Sequence, residues 1–292
     1  MPREFHMQEE FFHMVRRKLA VLAAVLVAGA LSLTACTGGS SASAGNSASE
    51  SQLQKVLKAK TLRVAILPDF PPWSVQKPDG SFEGYEVDIA HELANALGVN
   101  LKLVGTDGAS RLPLLQSNRV DVNISAWTAT NQRAQTAGFT IPYDAHGAGV
   151  LFKKGVDIKS YQDIAGKSVA VARGSTNDTI VTKDFPTAKV TRFDAIADVI
   201  SAVKTGKVEA AVESSYTVAQ AAKQDPSLQA ISDPPLDPQL VSMGVLPTDQ
   251  VWMNYLNNFI RNLIASGEDN KLHEKWLQEP LANIVSVQGN AA

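Results

Sequence analysis

The chain has 292 residues, 45% hydrophobic and 19% charged, an ordinary globular composition with apolar material for one or two cored domains. The net charge is −2 and the body of the chain carries no basic run, which argues against nucleic acid as a partner.

The amino terminus reads as a sorting signal. Arg16, Arg17 and Lys18 form a basic region, residues 19–33 an apolar run, and LTAC at 33–36 closes it with small residues before a cysteine. The run is short for a membrane span and fits a secretory signal over 1–35. Glu4, Glu9 and Glu10 sit badly ahead of it, and a start at Met14 gives a better basic region, MVRRK. Cys36 is the single cysteine, and a lone thiol in an exported protein calls for a reason. LTAC resembles the bacterial lipobox, which implies cleavage before Cys36 and acylation of its sulfur and new amine. Several acyl chains make a stable anchor where one is marginal. Four of the 27 basic and three of the 29 acidic residues lie ahead of Cys36, which leaves a net charge of −3. Residues 36–51, rich in Gly, Ser, Ala and Asn, read as a flexible tether.

In the folded part, 61–67 (TLRVAIL) is a strand, and the prolines that follow force an irregular loop at 68–73. Residues 87–97 form a helix stopped by Gly98, 100–104 a strand, and 112–117 a short helix. The stretch 121–143 opens on the alternating Val120, Val122 and Ile124. It passes into Ser125, Ala126, Thr128 and Thr130, then offers one cation, Arg133. Hydroxyls, backbone amides and a guanidinium in that order suit a carboxylate; a Thr helix cap beside a solvated Arg is the plainer alternative. The pattern then restarts, with strands at 168–172, 189–193 and 209–212 and helices after 176, at 195–204 and at 216–224. A Pro-rich stretch at 233–238 precedes a returning strand at 243–246 and helices at 251–264 and 270–277. Alternation of strand and helix gives α/β units with largely parallel sheets, the second unit inserted into the first.

Here the sequence resembles the family 3 solute-binding proteins of ABC importers, the polar amino-acid type. The matching stretches run in order from LRVAILPDFPPWS through PDGSFEGYEVDIAHELANALGV, NRVDVNISAWTATNQRAQTAGFTIPY, DIAGKSVAVARGSTND and AIADVISAVKTGKVEAAVESS to LHEKW. The resemblance implies a two-lobed periplasmic-binding-protein type II fold, each lobe a mostly parallel sheet flanked by helices, joined by two crossing strands. Lobe 1 would take 51–147 plus 246–292 and lobe 2 148–245, with a small solute held between them.

The resemblance implies that Arg133 clamps the ligand α-carboxylate with help from Thr128 and the backbone of Ala126. Thr176 would meet the same carboxylate from a helix amino terminus, where an anion is favoured. Phe70 matches the aromatic that covers the ligand side chain, with core packing as its alternative. Trp127 replaces a small aliphatic residue and either lines the side-chain pocket or packs; Trp73 is expected in the core, and Arg173 in solvent. The family's ammonium-binding Asp falls on Ser214, preceded by Glu213, and the acidic position of the first loop is Leu67 with Asp69 nearby. Either Glu213 or Asp69 replaces the missing Asp, and if the strand runs through 214, alternation separates the side chains of Glu213 and Ser214, which favours Asp69; or the ligand lacks an ordinary α-ammonium and a quaternary or N-substituted nitrogen is held by Phe70 and Trp127 through cation–π contact.

The expectation is a monomeric, lipid-anchored extracytoplasmic binding protein that hands an amino acid or related carboxylate-bearing solute to an ABC permease, without cofactor, metal or catalytic residues. The alternative is an enzyme of dehydratase or lyase type on the same scaffold, for which Glu213 and Asp69 are the cleft candidates, with His146, near the lobe crossing, the one histidine to weigh.

Overall fold

The computed structural model describes residues 50–287, which belong to one compact unit. The expected signal, Cys36 and the tether up to residue 49 lie outside the described residues. The fold begins one helix earlier than the sequence suggested. The hydroxyl of Ser51 accepts from the Leu53 amide at 3.3 Å and caps α1 (Gln52–Ala59), and the same hydroxyl donates to Asp249 Oδ1 at 2.8 Å.

Strand β1 (Thr61–Ile66) ends in three buried residues and leads into a small antiparallel ribbon of β2 (Asp69–Phe70), β3 (Ser74–Gln76) and β4 (Phe82–Glu83). Helix α2 (Tyr85–Leu97) buries Ile89, Ala90, Leu93, Ala94 and Leu97, one face at helical spacing. Gly98 stops it in the left-handed region at φ 65°, its N–H returning to Ala94 and Asn95 carbonyls. Strand β5 (Asn100–Gly105), helix α3 (Arg111–Gln116) and β6 (Val122–Asn123) complete the first half.

The second half holds β8 (Ser168–Ala172), α4 (Thr176–Asp184), β9 (Lys189–Phe193), α5 (Ile196–Lys204), β10 (Ala210–Ser214) and α6 (Ser215–Gln224). Between the halves run two long strands, β7 (Gly138–Lys153) and β11 (Leu228–Val245), paired antiparallel. The latter takes in the Pro-rich 233–238 and begins well ahead of the strand expected at 243–246. It accommodates the prolines through register shifts between Ile231 and Leu236 and between Leu236 and Gln239. Helices α7 (Gln250–Ala265) and α8 (Glu268–Leu277) return to the first half. There Trp252, Leu256 and Ile260 are fully buried, each contributing roughly 1.5–3 kcal/mol.

Among the described residues the main sheet runs β5-β1-β6-β11-β7-β10-β8-β9. The outer triplets are parallel; β11 lies antiparallel to β6 of the first triplet and β7 antiparallel to β10 of the second. Two parallel sheets are thus joined by a crossing pair, the two-lobed type II arrangement. Parallel strands deliver their carboxyl ends and the loops after them to one edge, and from the first half β1 and β6 point their following loops into the same space as the loops after β8 and β9 and the end of β10.

Candidate functional site

The loops after β1, β5, β6, β8 and β9, with residues of β7, β10 and β11, enclose a cleft whose empty volume, counting the part open to solvent, is about 540 Å³. Arg133 enters it from a single turn of 3-10 helix, Arg133–Gln135, whose start is fixed when the Thr130 hydroxyl accepts from the Arg133 amide at 3.2 Å. The N-cap of that turn is Gln132, which makes no side-chain cap, so the Thr helix cap offered as the plainer alternative does not form there. Arg133 Nη1 donates to the Thr128 carbonyl and Nη2 to the Gly174 carbonyl, both at 2.9 Å, and no ion pair of Arg133 forms among the described residues. Burial, with the charge of Arg111 beside it, pulls its pKa down to about 10, so it stays cationic at neutral pH. A guanidinium held by two carbonyl dipoles, without an ion-pair partner among the described residues, has the chemistry that suits a carboxylate.

From the opposite wall, Ser175, Thr176 and Asn177 bring the amino terminus of α4 to the cleft. The Ser175 hydroxyl accepts from the Asp178 amide at 3.0 Å. Thr176 and Thr128 both donate to Gln239 Oε1, the latter at 2.9 Å. Gln239 lies on β11, a residue the sequence reading did not single out.

Ala126 lines the cleft in the left-handed region at φ 48°, but its amide donates to Glu86 Oε1 at 2.6 Å, and Tyr143 donates to the same oxygen. The expected help from the Ala126 amide is thus engaged inside the protein. Burial pushes the Glu86 carboxyl up to about 7 despite these bonds.

The acid position is corrected. Strand β10 does run through Ser214, and alternation holds, yet the face turned to the cleft is that of Glu213. The Ser214 hydroxyl is buried without a hydrogen-bond partner and is absent from the cleft lining. Glu213 Oε1 accepts from Asn177 Nδ2 at 2.9 Å and from the Ser214 amide at 3.0 Å, while Oε2 is buried with no partner. Burial raises this carboxyl to about 7. Asp69 also borders the cleft, but its Oδ2 accepts from the Ala197 amide at 3.0 Å, capping the first turn of α5, which has no side-chain cap of its own. Of the two acids Glu213 is the better placed to meet a cationic group.

Phe70 lines the cleft and is stacked on Trp73 at 4.6 Å. Trp73 is fully buried, its indole N–H donating to Asp144 Oδ2 at 2.8 Å. Trp127 does not border the cleft: it packs edge-on against Phe139 at 5.0 Å and over Gly244, where any Cβ would collide with the indole ring. Arg173 stands at the rim, half-exposed and paired with Asp194 at 2.7 Å, as expected of a solvated charge. Arg111 was missed; it is buried in the cleft floor, donating through Nη2 to the Ser125 carbonyl at 2.7 Å and through Nε to the Ser125 hydroxyl at 3.1 Å. His146 borders the cleft and faces Asp144 at 3.7 Å. Among the described residues no cluster of His, Cys, Asp and Glu is arranged to hold a metal.

Residues 62–279 match the bacterial extracellular solute-binding proteins, family 3. The chain belongs to that family. The L-cystine-binding protein TcyJ of Escherichia coli K12 is 28% identical over 231 residues, covering 78% of this chain and 87% of that protein. A crystal structure of the P235GK mutant of ArgBP from T. maritima superposes with a TM-score of 0.72 at 33% identity, covering 78% of this chain and all of that one. The cyclohexadienyl dehydratase of Pseudomonas aeruginosa is 24% identical over 241 residues, 81% of this chain and 90% of that protein. The family is extracellular, and among the described residues no helix is long and apolar enough to cross a membrane.

Proposed function

We propose that the protein is the substrate-binding component of an amino-acid ABC importer, tethered to the outer face of the cytoplasmic membrane through lipidated Cys36. It would work as a monomer that closes lobe 1 (51–147 plus 246–292) and lobe 2 (148–245) on an amino acid or close derivative. The observation that carries the reading is one cleft with a half-buried Arg133 that pairs with no carboxylate of the described residues at one station and a buried Glu213 oxygen lacking a donor at another. These are complementary to the carboxylate and ammonium of a zwitterion. Arg133 and the amino terminus of α4 take the carboxylate, Glu213 the ammonium, and Phe70 covers the side chain. Names among the relatives, an L-cystine-binding and an arginine-binding protein, support the ligand class.

A thermal-shift screen of residues 49–292 against amino acids, their N-methylated derivatives, opines and small carboxylates tests the proposal. A ligand at a hundred times its dissociation constant adds about 2.7 kcal/mol of stability. Stabilisation by an amino acid supports the reading; stabilisation only by solutes without a carboxylate overturns it. The dehydratase reading draws on Glu213 having a pKa of about 7, suited to proton transfer at neutral pH. Recovery of the bound solute unchanged after prolonged incubation, followed by NMR, separates the two.

A further inference from the structure

Arg111 opens α3 and is only 6% exposed, yet it borders the cleft floor. Nη2 donates to the Ser125 carbonyl at 2.7 Å and Nε to the Ser125 hydroxyl at 3.1 Å, while Nη1 forms no hydrogen bond among the described residues. The two bonds fix the direction of the planar guanidinium. They leave its charge unmatched, because both acceptors are neutral. No carboxylate of the described residues forms an ion pair with Arg111. Glu86 answers the charge only at longer range. Its Oε1 accepts from the Ala126 amide and the Tyr143 hydroxyl, and burial raises its carboxyl to about 7, so near neutral pH it is only partly ionised.

Other charges at the cleft have partners of their own. Arg173 pairs with Asp194 at 2.7 Å, His146 faces Asp144 at 3.7 Å, and Asp69 Oδ2 accepts from the Ala197 amide at 3.0 Å. Two guanidinium groups, Arg111 and Arg133, then stand against the single carboxyl of Glu213. A zwitterion with an uncharged side chain meets Arg133 and Glu213 but leaves the Arg111 charge desolvated without a counter-charge, which is costly. A second carboxylate on the ligand offsets it.

We infer that Arg111 is a specificity-determining residue that takes a side-chain carboxylate, so that the cleft selects a dicarboxylic amino acid of the size of aspartate or glutamate. This rests on the zwitterion site proposed above, whose carboxylate and ammonium stations are unchanged. Nη1 donates to the second carboxylate while Ser125 holds the guanidinium in place. A cationic side chain meets Arg111 as a like charge and is rejected. An amide of the same shape accepts the hydrogen bond but does not offset the charge.

The test is isothermal titration calorimetry on residues 49–292, which hold the buried core, stripped of co-purified solute by unfolding and refolding. The probes are two pairs of equal shape, L-aspartate with L-asparagine and L-glutamate with L-glutamine. Members of a pair share the α-carboxylate and ammonium, so Arg133 and Glu213 contribute equally and the ratio of affinities reads the side-chain station alone. In wild type one acid should bind roughly 30-fold or more tighter than its amide. Arg111→Met, which keeps an unbranched stem and loses the charge, should lose most of that ratio. The inference is overturned if wild type prefers neither acid over its amide, or if a folded Arg111→Met keeps the wild-type ratio; should that variant fail to fold, the wild-type ratio decides alone. Binding of the amides at parity with the acids overturns the inference and leaves the zwitterion site standing, whereas failure of all four probes and of L-arginine and L-cystine to bind removes both.

Discussion

Asn177 Nδ2 donates to Glu213 Oε1 at 2.9 Å and so steadies a carboxylate whose other oxygen is buried without a partner. That relationship makes Glu213 the acid of the cleft in place of Ser214. Glu213→Gln keeps the shape and loses the charge. Removing one partner of a buried charge pair costs about 2–5 kcal/mol, or roughly 30-fold or more in affinity for a primary-amine amino acid. Calorimetry that finds equal affinities in variant and wild type contradicts the assignment.

The same residue gives binding a pH dependence. Burial holds the carboxyl neutral below about 7, and an ammonium ligand prefers it ionised. Affinity should therefore fall as pH drops below 7, by up to about tenfold per unit, and Glu213→Gln should lose this slope. A dissociation constant that is flat for wild type from pH 5 to 8 contradicts it.

Stability should follow the opposite course. Glu86, Glu213 and Asp269 all have carboxyls raised to about 7, chiefly by burial, so between about pH 4 and 7 the folded state binds protons that the unfolded chain has released. Each lowers stability by up to about 1.4 kcal/mol per pH unit across that window. His273, raised because Asp144 outweighs its burial, adds a stabilisation that is present below its unfolded value and lost as pH rises through the folded one. Asp144 acts in the other sense: although burial pushes it up, the imidazoles of His146 and His273 hold it well below the carboxylate range, so its contribution disappears only in stronger acid. The melting temperature should fall from pH 5 to 8, and Asp269→Asn should flatten part of that fall. A melting temperature that rises over this range is the contrary result.

Trp127 is a packing residue, so its effects belong to stability. Gly244→Ala forces a methyl group into the indole and should cost about 1–3 kcal/mol or more; Trp127→Ala should cost roughly 3–5 kcal/mol. Denaturant titration measures both. A stable Trp127→Ala with an altered ligand preference would place the indole at the ligand instead.

Much of this was legible because local pattern and final position agree. The strand-to-hydroxyl-to-arginine run at 121–143 ends with Arg133 in the cleft, and Gly98 stops α2 where it should. Three residues were hidden for separate reasons. Gln239 lies behind three prolines at 234, 235 and 238, which locally read as a loop; pairing with β7 makes them a bulged strand. Arg111, at a helix start, looks solvated until Ser125, fourteen residues on, folds over its guanidinium. For Glu213 and Ser214, alternation states that the side chains part, but which face meets the cleft is decided by β7 and β8 on either side of β10.

Cys36 precedes the described residues, and its role rests on LTAC closing the apolar run. Cys36→Ser should leave the protein unprocessed or release it from membranes. Unchanged mass and unchanged membrane fractionation would remove lipidation from the account.

The central claim is that Arg133 grips the carboxylate of an amino acid. Isothermal titration of the amino acid that most stabilises the wild type, into wild type and Arg133→Ala, tests it directly. The account predicts a folded variant, by circular dichroism, with affinity weakened roughly 30-fold or more; a folded variant that binds as tightly as wild type contradicts it.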